Sequence, residues 1–186
     1  GLGDVYKRQV LNYNQSKDAR SLDRFDFYNN PSEYKSSFNK FSKVSDMFIA
    51  GHYYDKNAPN LITLEDINLD DFKISLIADI SCDINGPIVS TIRPSTINDP
   101  IYGFDPKLNK EVDYTNDDAI AVMAVDNLPC ELPRDASESF GDMFIKDVLP
   151  SFFNNDKDGV LHRSKMTYKG ELTDRFSYLS DFISTP

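Results

Sequence analysis

The sequence predicts an α/β fold, namely the second half of a Rossmann-like domain with a parallel sheet. Three short apolar runs indicate its strands: residues 47–50 (MFIA), 73–78 (KISLIA) and 120–125 (IAVMAV). Nearly continuous apolar runs of this length are typical of parallel strands that are covered on both faces. The stretches between them are long enough for the crossover connections that a parallel sheet requires.

These connections carry helix signals. Residues 30–33 (NPSE) combine a capping asparagine, a proline at the first helical position and an acid in the first turn. Aromatic residues then recur with helical spacing up to Phe41, which predicts a helix there. Thr63 is a candidate cap for a short helix over 64–67, and residues 102–114 are candidates for a small hairpin.

The C-terminal part predicts a long helix, a hairpin and a final helix. Asp135 and Glu138 have the spacing of a capping box, and apolar residues continue with helical spacing to Leu149. Residues 160–168 are predicted to contain an edge strand that includes His162. Residues 173–183 are predicted as the final helix.

Composition excludes several classes of partner. The formal net charge is −10, from 20 Lys and Arg against 30 Asp and Glu, and no basic cluster offsets it. Binding to a nucleic-acid backbone is therefore not expected. No apolar run approaches the roughly 20 residues of a membrane span, so no membrane partner is expected. Cys82 and Cys130 lack metal-ligand spacing and are too few for a disulfide framework, which favours a reducing, cytoplasmic location without a metal site.

Residues 1–9 (GLGDVYKRQ) are interpreted as an artefact rather than as protein sequence. The string DVYKRQ back-translates to a sequence that looks like the end of a transposase-based sequencing adapter. The opening Gly-Leu-Gly lacks the third glycine and the preceding strand of a dinucleotide loop. We therefore expect the chain to be a C-terminal fragment of a longer protein.

Polar residues follow each predicted strand. Gly51 and His52 come after the first strand, residues 79–83 after the second, and Asp126 with Asn127 after the third. Right-handed crossovers place the carboxyl ends of parallel strands at one edge of a sheet, where ligands bind in open α/β folds. The sequence therefore predicts a ligand site formed by these three strand ends.

Several stretches of this sequence resemble the saccharopine dehydrogenase family, within the alanine dehydrogenase and transhydrogenase superfamily. They are residues 78–83 (ADISCD), 96–100 (TINDP) and 125–137 (VDNLPCELPRDAS). The likeness is strongest to lysine–ketoglutarate reductases and lysine-forming saccharopine dehydrogenases, and FGD at 140–142 favours the reductases. It covers the chain from about residue 25 to residue 183.

The resemblance implies an enzyme that interconverts saccharopine with lysine and 2-oxoglutarate by hydride transfer with NAD or NADP. It also implies two domains: residues 10–130 as part of the NAD(P)-binding domain, and 131–186 as a returning segment of the substrate domain. The glycine-rich loop and the general-acid lysine and histidine of the family have no counterpart in this sequence. We therefore expect the chain alone to be inactive, and its unpaired strand edge to make it poorly stable.

Site residues follow from the same resemblance. Asp126 matches an acid beside the nicotinamide, and Asp83 matches an acid of the active site. The implied cofactor contacts are Gly51, His52, Asn127 and Leu128. Asn127 fits reductases and alanine dehydrogenases, whereas lysine-forming saccharopine dehydrogenases usually carry histidine at this position. The direction of the reaction therefore stays open.

Some candidates have competing structural interpretations. Asp79 is either a cofactor contact or a loop cap. Arg93 and Arg134 are candidates for binding a substrate carboxylate, which a guanidinium pairs bidentately, although Arg134 could instead anchor the start of a helix. Two other functions also remain open: an alanine dehydrogenase-like enzyme, and a nucleotide-binding module without chemistry. The sequence does not predict the oligomeric state.

Overall fold

The computed structural model describes residues 13–20, 23–52 and 54–183. The chain divides into two compact units, the first ending at Glu131 and the second beginning at Leu132. The interpretation of residues 1–9 as an adapter artefact lies outside the described residues.

The first unit is built on a five-stranded mixed sheet. A separate hairpin of β1 (Asn14–Ser16) and β2 (Tyr34–Ser36) precedes it. The strands of the main sheet are β3 (Met47–Ala50), β4 (Leu76–Asp79), β5 (Ile101–Asp105), β6 (Lys110–Val112) and β7 (Ile120–Met123). Their spatial order is β3-β4-β7-β5-β6. This architecture confirms the predicted α/β, Rossmann-like fold class.

The three strands predicted from apolar runs are the parallel part of this sheet. β4 lies between β3 and β7, with Ala50 opposite Asp79 and Ala78 opposite Met123. The predicted hairpin forms as β5 and β6, and it joins the same sheet by antiparallel pairing of β5 with β7. β3 is an edge strand, and its Met47 and Ile49 are 54% and 60% exposed.

One hydrophobic core packs against the sheet. The residues of its centre are fully shielded from solvent, with Ile77, Ile88, Phe104 and Val122 each 0% exposed. Burial of such side chains supplies most of the favourable free energy of folding. The core continues into the irregular segment after β4, because Ile88 bridges to Ile62.

The helices of the first unit are short. Those in the described ranges include α1 (Arg24–Asn29), α2 (Asn39–Ser42) and α3 (Leu64–Ile67). The predicted cap of α3 is confirmed: the Thr63 hydroxyl accepts a hydrogen bond from the Asp66 N–H at 3.2 Å, and the Asp66 carboxylate accepts one from the Thr63 N–H at 2.9 Å.

The helix predicted after residue 30 is wrong. Pro31–Glu33 forms one 3₁₀ turn, and the chain then enters β2. Tyr34 is only 2% exposed, its ring lies 5.1 Å from that of Phe27, and its hydroxyl donates to Asp26 at 2.5 Å. These tertiary contacts, together with pairing to β1, override a local helical pattern.

The second unit begins with α4 (Pro133–Met143), which continues through a π-helical turn, Phe144–Val148, and a 3₁₀ turn, Leu149–Phe152. The predicted capping box does not form. Leu132 occupies the cap position without a side-chain cap, and Pro133 opens the helix. A proline needs no amide partner in the first turn.

The rest of the second unit departs from the prediction in two places. His162 lies in α5 (Val160–Ser164) rather than in an edge strand. A hairpin of β8 (Thr167–Tyr168) and β9 (Glu171–Leu172) follows. Lys169 and Gly170 turn it with φ of 52° and 88°, a geometry that matches the twist of short hairpins. A 3₁₀ segment, Asp174–Leu179, and α6 (Ser180–Ile183) replace the single final helix.

Apolar residues of the second unit remain largely exposed. Phe140, Phe153 and Phe182 are 67%, 83% and 80% exposed. No helix among the described residues is long and apolar enough to cross a membrane.

Candidate functional site

Hydrogen bonds join the segments that follow the carboxyl ends of the three parallel strands. The amide of His52, after β3, donates to the Ser81 hydroxyl, after β4, at 3.0 Å. The Cys82 thiol donates to the carbonyl of Ala124, after β7, at 3.2 Å. The strand ends that the sequence predicted to share one edge of the sheet therefore form a single surface, called here the carboxyl edge.

Asp79 anchors the loop that follows β4. Its side chain is 0% exposed, and its two oxygens accept hydrogen bonds from the Thr91 hydroxyl at 2.7 Å and from the Cys82 amide at 3.1 Å. A buried carboxylate is tolerated only when it is paired in this way. This geometry favours the loop-cap interpretation of Asp79; its cofactor contact stays a prediction.

Asp83 is the partly buried acid of the carboxyl edge. Burial raises the pKa of its carboxyl, the negative charge of Asp79 raises it further, and His52 opposes both effects. A carboxyl with a raised pKa holds a proton closer to neutral pH than an exposed one does. The catalytic role of Asp83 stays a prediction.

Gly86 fixes the position of Asp83. A Cβ atom on Gly86 would lie 2.7 Å from both the Cβ and the carbonyl oxygen of Asp83. We expect Gly86→Ala to lower the free energy of unfolding by about 1–3 kcal/mol, because the loop must shift to admit the methyl group. Urea denaturation measures this loss.

Gly51→Ala is the matched control for that substitution. A Cβ atom on Gly51 meets nothing within 4 Å, so we expect a change of less than about 0.5 kcal/mol. Equal losses in the two variants would show that the close approach of Gly86 to Asp83 does not constrain the loop.

His52 and Gly51 form the β3 side of the carboxyl edge. Burial lowers the pKa of His52, although the charges of Asp79 and Asp83 raise it in part. Burial therefore favours the neutral form of the imidazole. Gly51 is exposed, and the space its missing side chain leaves open is available to a ligand.

Asp126, Asn127 and Leu128 form the β7 side. Asp126 and Asn127 are exposed, and Leu128 begins a 3₁₀ turn, Leu128–Glu131. Ser95 forms two hydrogen bonds to the backbone of Ala124, which precedes them. The Ser95 amide donates to the Ala124 carbonyl at 2.9 Å, and the Ser95 hydroxyl accepts from the Ala124 amide at 2.8 Å. The exposed Asp126 carboxylate is available to a ligand.

Cys82 is not an activated nucleophile. Burial raises the pKa of its thiol, and the charges of Asp79, Asp126 and Asp83 raise it further. A thiol of raised pKa is little ionised at neutral pH. This agrees with a packing role for Cys82, whose left-handed backbone (φ 51°) lets its amide reach Asp79.

The two candidate arginines differ in their surroundings. Arg93 is engaged: its Nε and Nη2 donate to the two carboxylate oxygens of Glu111 at 2.7 and 2.8 Å, and its guanidinium lies 4.5 Å from the centre of the Tyr102 ring. Arg134 is exposed in the first turn of α4. A substrate carboxylate that pairs with Nε and Nη2 of Arg93 would have to displace Glu111.

Sequence reasoning missed the residues that hold the carboxyl edge together. Ser81, Thr91 and Ser95 are small polar residues in loops, and only their bonds to distant backbone or to Asp79 reveal their roles. Within the described part of the chain, no group of three or more His, Cys, Asp and Glu side chains could hold a metal ion.

A mixed sheet with acids and an open glycine at the carboxyl ends of its parallel strands defines an α/β protein of the Rossmann-like class, in which ligands bind at that edge. No protein-family profile matches the sequence. Individual relatives nevertheless identify the family.

The chain is 32% identical over 168 residues to alpha-aminoadipic semialdehyde synthase of Arabidopsis thaliana, covering 87% of this chain and 16% of the plant protein. It is 29% identical over 175 residues to the mitochondrial mouse protein of the same name, covering 80% and 19%. Against saccharopine dehydrogenase [NAD(+), L-lysine-forming] of Schizosaccharomyces pombe, identity is 29% over 125 residues, covering 67% and 33%. These proteins are homologues of the chain, and the resemblance predicted from the sequence is confirmed. The chain spans between 16% and 33% of their lengths.

Proposed function

We propose that the chain is part of an NAD(P)-dependent oxidoreductase that interconverts saccharopine with lysine and 2-oxoglutarate. The observation that carries this proposal is the 32% identity to a plant alpha-aminoadipic semialdehyde synthase over 87% of the chain. An alignment over 87% of the chain includes all three strand ends of the carboxyl edge. Residues 10–130 would belong to the cofactor-binding domain and residues 131–186 to the substrate domain.

The residues of the carboxyl edge fit a dinucleotide. Gly51 leaves open space after β3, and Asp126 and Asn127 are exposed after β7. The bound cofactor would supply hydride transfer. Gly51 and His52 would lie along it on one side, and Asn127 and Leu128 would contact it through the backbone on the other. The relative from Schizosaccharomyces pombe is named for NAD(+), which favours NAD over NADP here.

Asp126 and Asp83 would have different roles in the reaction. The exposed carboxylate of Asp126 would place negative charge where the ring becomes positive, and such preorganised charge is a large contribution to catalysis. Asp83, whose carboxyl pKa is raised by burial and by the charge of Asp79, would lie where it could exchange a proton with the substrate. Burial lowers the pKa of His52 and so favours its neutral form, which adds no positive charge near the oxidised ring.

The test is a spectrophotometric assay of the polypeptide encoded by the complete gene. We expect oxidation of NADH or NADPH that requires both lysine and 2-oxoglutarate, and the reverse reaction with saccharopine. Oxidation that requires pyruvate and ammonia instead would identify an alanine dehydrogenase-like enzyme. Cofactor binding without turnover on either substrate set would identify a nucleotide-binding module.

The same assay tests the 186-residue chain by itself. We expect no turnover, because the family's glycine-rich loop and general-acid lysine and histidine have no counterpart in this sequence. Turnover by the purified chain would contradict this prediction. Fractionation of the source cells tests the cytoplasmic location, which stays a prediction.

A further inference from the structure

Ser95 extends the sheet beyond the last ladder pair of β7. The pairing of β5 with β7 reaches Ile101 opposite Met123, and Ser95 then forms an isolated parallel bridge with Val125. Ser95 is 2% exposed and Ala124 is 0% exposed. Because the bridge is parallel, the chain after Ser95 leaves the sheet at the same edge as the chain after Val125. Ser95 therefore lies beside the point where β7 reaches the carboxyl edge.

Ser95 satisfies both backbone groups of Ala124. Its hydroxyl accepts a hydrogen bond from the Ala124 N–H at 2.8 Å, and its own amide donates to the Ala124 carbonyl at 2.9 Å. The direction of the first bond is unambiguous, because a backbone amide nitrogen only donates. A buried N–H without an acceptor is strongly disfavoured. The side chain of Ser95 therefore fixes the position of this peptide group.

Asp126 lies two residues after Ala124, and its carboxylate depends on the backbone for its position. The Asp126 side chain is exposed, and no hydrogen bond or salt bridge holds it among the residues that the structure describes. On its C-terminal side the chain turns at once, because the Cys130 amide donates to the Asn127 carbonyl at 3.0 Å. On its N-terminal side Ser95 fixes the peptide of Ala124. The location of the Asp126 carboxylate therefore follows from the location of this backbone.

We propose that Ser95 is a positioning residue for Asp126: by fixing the Ala124 peptide, it fixes where the Asp126 carboxylate lies at the carboxyl edge. The kinetic part of this inference rests on the proposed function, in which Asp126 places negative charge beside the oxidised ring. Electrostatic stabilisation requires groups that are held in place before the reaction. A misplacement of about 1 Å can cost about 100-fold in rate. Ser95, although buried, therefore acts on the rate through Asp126.

Ser90 provides a matched control for Ser95. Both serines are buried, at 0% and 2% exposed, and both lie in the irregular segment between β4 and β5. The Ser90 hydroxyl, however, has no hydrogen-bond partner among the described residues. Ser90→Ala and Ser95→Ala therefore remove the same atom from similar surroundings, and only Ser95→Ala breaks a bond to the backbone of β7.

Steady-state kinetics of the complete enzyme tests the effect on the rate. We expect Ser95→Ala to lower kcat with saccharopine about tenfold and to change KM by less than about twofold, because the carboxylate moves but stays charged. We expect Ser90→Ala to leave kcat unchanged. Ser95→Thr keeps the hydroxyl and is expected to restore most of kcat. An unchanged kcat in Ser95→Ala, or no recovery in Ser95→Thr, would overturn the proposal.

A double-mutant cycle with Asp126→Asn separates an effect through Asp126 from a general loosening of the fold. A residue that acts only through Asp126 loses its effect on the rate once the charge is gone. We expect Ser95→Ala to lower kcat about tenfold in the enzyme with Asp126 and by less than about twofold in the Asp126→Asn enzyme. Equal factors in the two backgrounds would give Ser95 a structural role only and would contradict the proposal.

Hydrogen exchange of the complete protein, followed by mass spectrometry, tests the positioning without turnover. The peptide that contains Ala124 and Asp126 is expected to exchange about three- to tenfold faster in Ser95→Ala, because the Ala124 amide loses its acceptor. We expect no change in Ser90→Ala. Unchanged exchange in Ser95→Ala would overturn the inference. If the unsubstituted enzyme did not turn over saccharopine, the proposed function would fail, and the exchange rates alone would decide the inference.

Discussion

Thr91→Val is expected to lower the free energy of unfolding by about 2–3 kcal/mol, because it leaves one oxygen of a fully buried carboxylate without a partner. The Thr91 hydroxyl donates to Asp79 at 2.7 Å, and both side chains are 0% exposed. Valine keeps the shape of threonine, so no cavity contributes to the loss. Urea denaturation followed by far-UV circular dichroism measures it.

Thr115→Val is the matched control. The Thr115 hydroxyl also donates to an aspartate, Asp113, at 2.5 Å, but this pair is exposed to solvent. Water replaces the lost bond there, and we expect a change of at most about 0.5 kcal/mol. If both variants lost the same stability, the burial of Asp79 would not be the source of the cost.

Asp126→Asn is expected to reduce kcat of the complete enzyme by about 100-fold, the scale seen when one preorganised electrostatic group is removed. The substitution keeps the size and the exposed position of the side chain but removes its charge. Because Asp126 is exposed, the free energy of unfolding should change little. Steady-state kinetics with saccharopine, together with the dissociation constant of the cofactor, measures the effect.

Asp117→Asn makes the same chemical change at the opposite end of β7. Asp117 is exposed and precedes the first residue of that strand, Ile120, so it lies away from the carboxyl edge. We expect the kcat of the Asp117→Asn enzyme to equal that of the unsubstituted enzyme. A similar loss in both variants would indicate a general effect of net charge and would refute a specific role for Asp126.

Strands were the most predictable part of this fold. The three apolar runs became β3, β4 and β7 because short, nearly continuous apolar runs favour parallel strands, although one face of the edge strand β3 stays exposed at Met47 and Ile49. The segment from Pro31 to Phe41 was less predictable, since its aromatic residues suit either a helix or a strand locally. Burial of Tyr34 against Phe27 decides between them, and Phe27 precedes the segment whose pattern predicted the helix.

The sequence predicted where the candidate site lies, but not the residues that hold its loops in place. Strand topology alone placed His52, Asp83 and Asp126 at one edge, because carboxyl ends of parallel strands coincide. The pairing of Asp79 with Thr91 joins residues 12 positions apart through an irregular loop. No periodicity in the sequence indicates such a pair. The salt bridge between Arg93 and Glu111 could not be predicted from periodicity either.

The bonds among the three strand ends have a consequence for binding affinity. His52 is tied to Ser81, Cys82 to Ala124 and Ser95 to Ala124, so the backbone that faces a ligand is ordered before the ligand arrives. Ordering a loop during association costs conformational entropy, and a preorganised surface avoids most of that cost. A ligand that meets this edge would therefore lose little of the free energy of its contacts to ordering the loops.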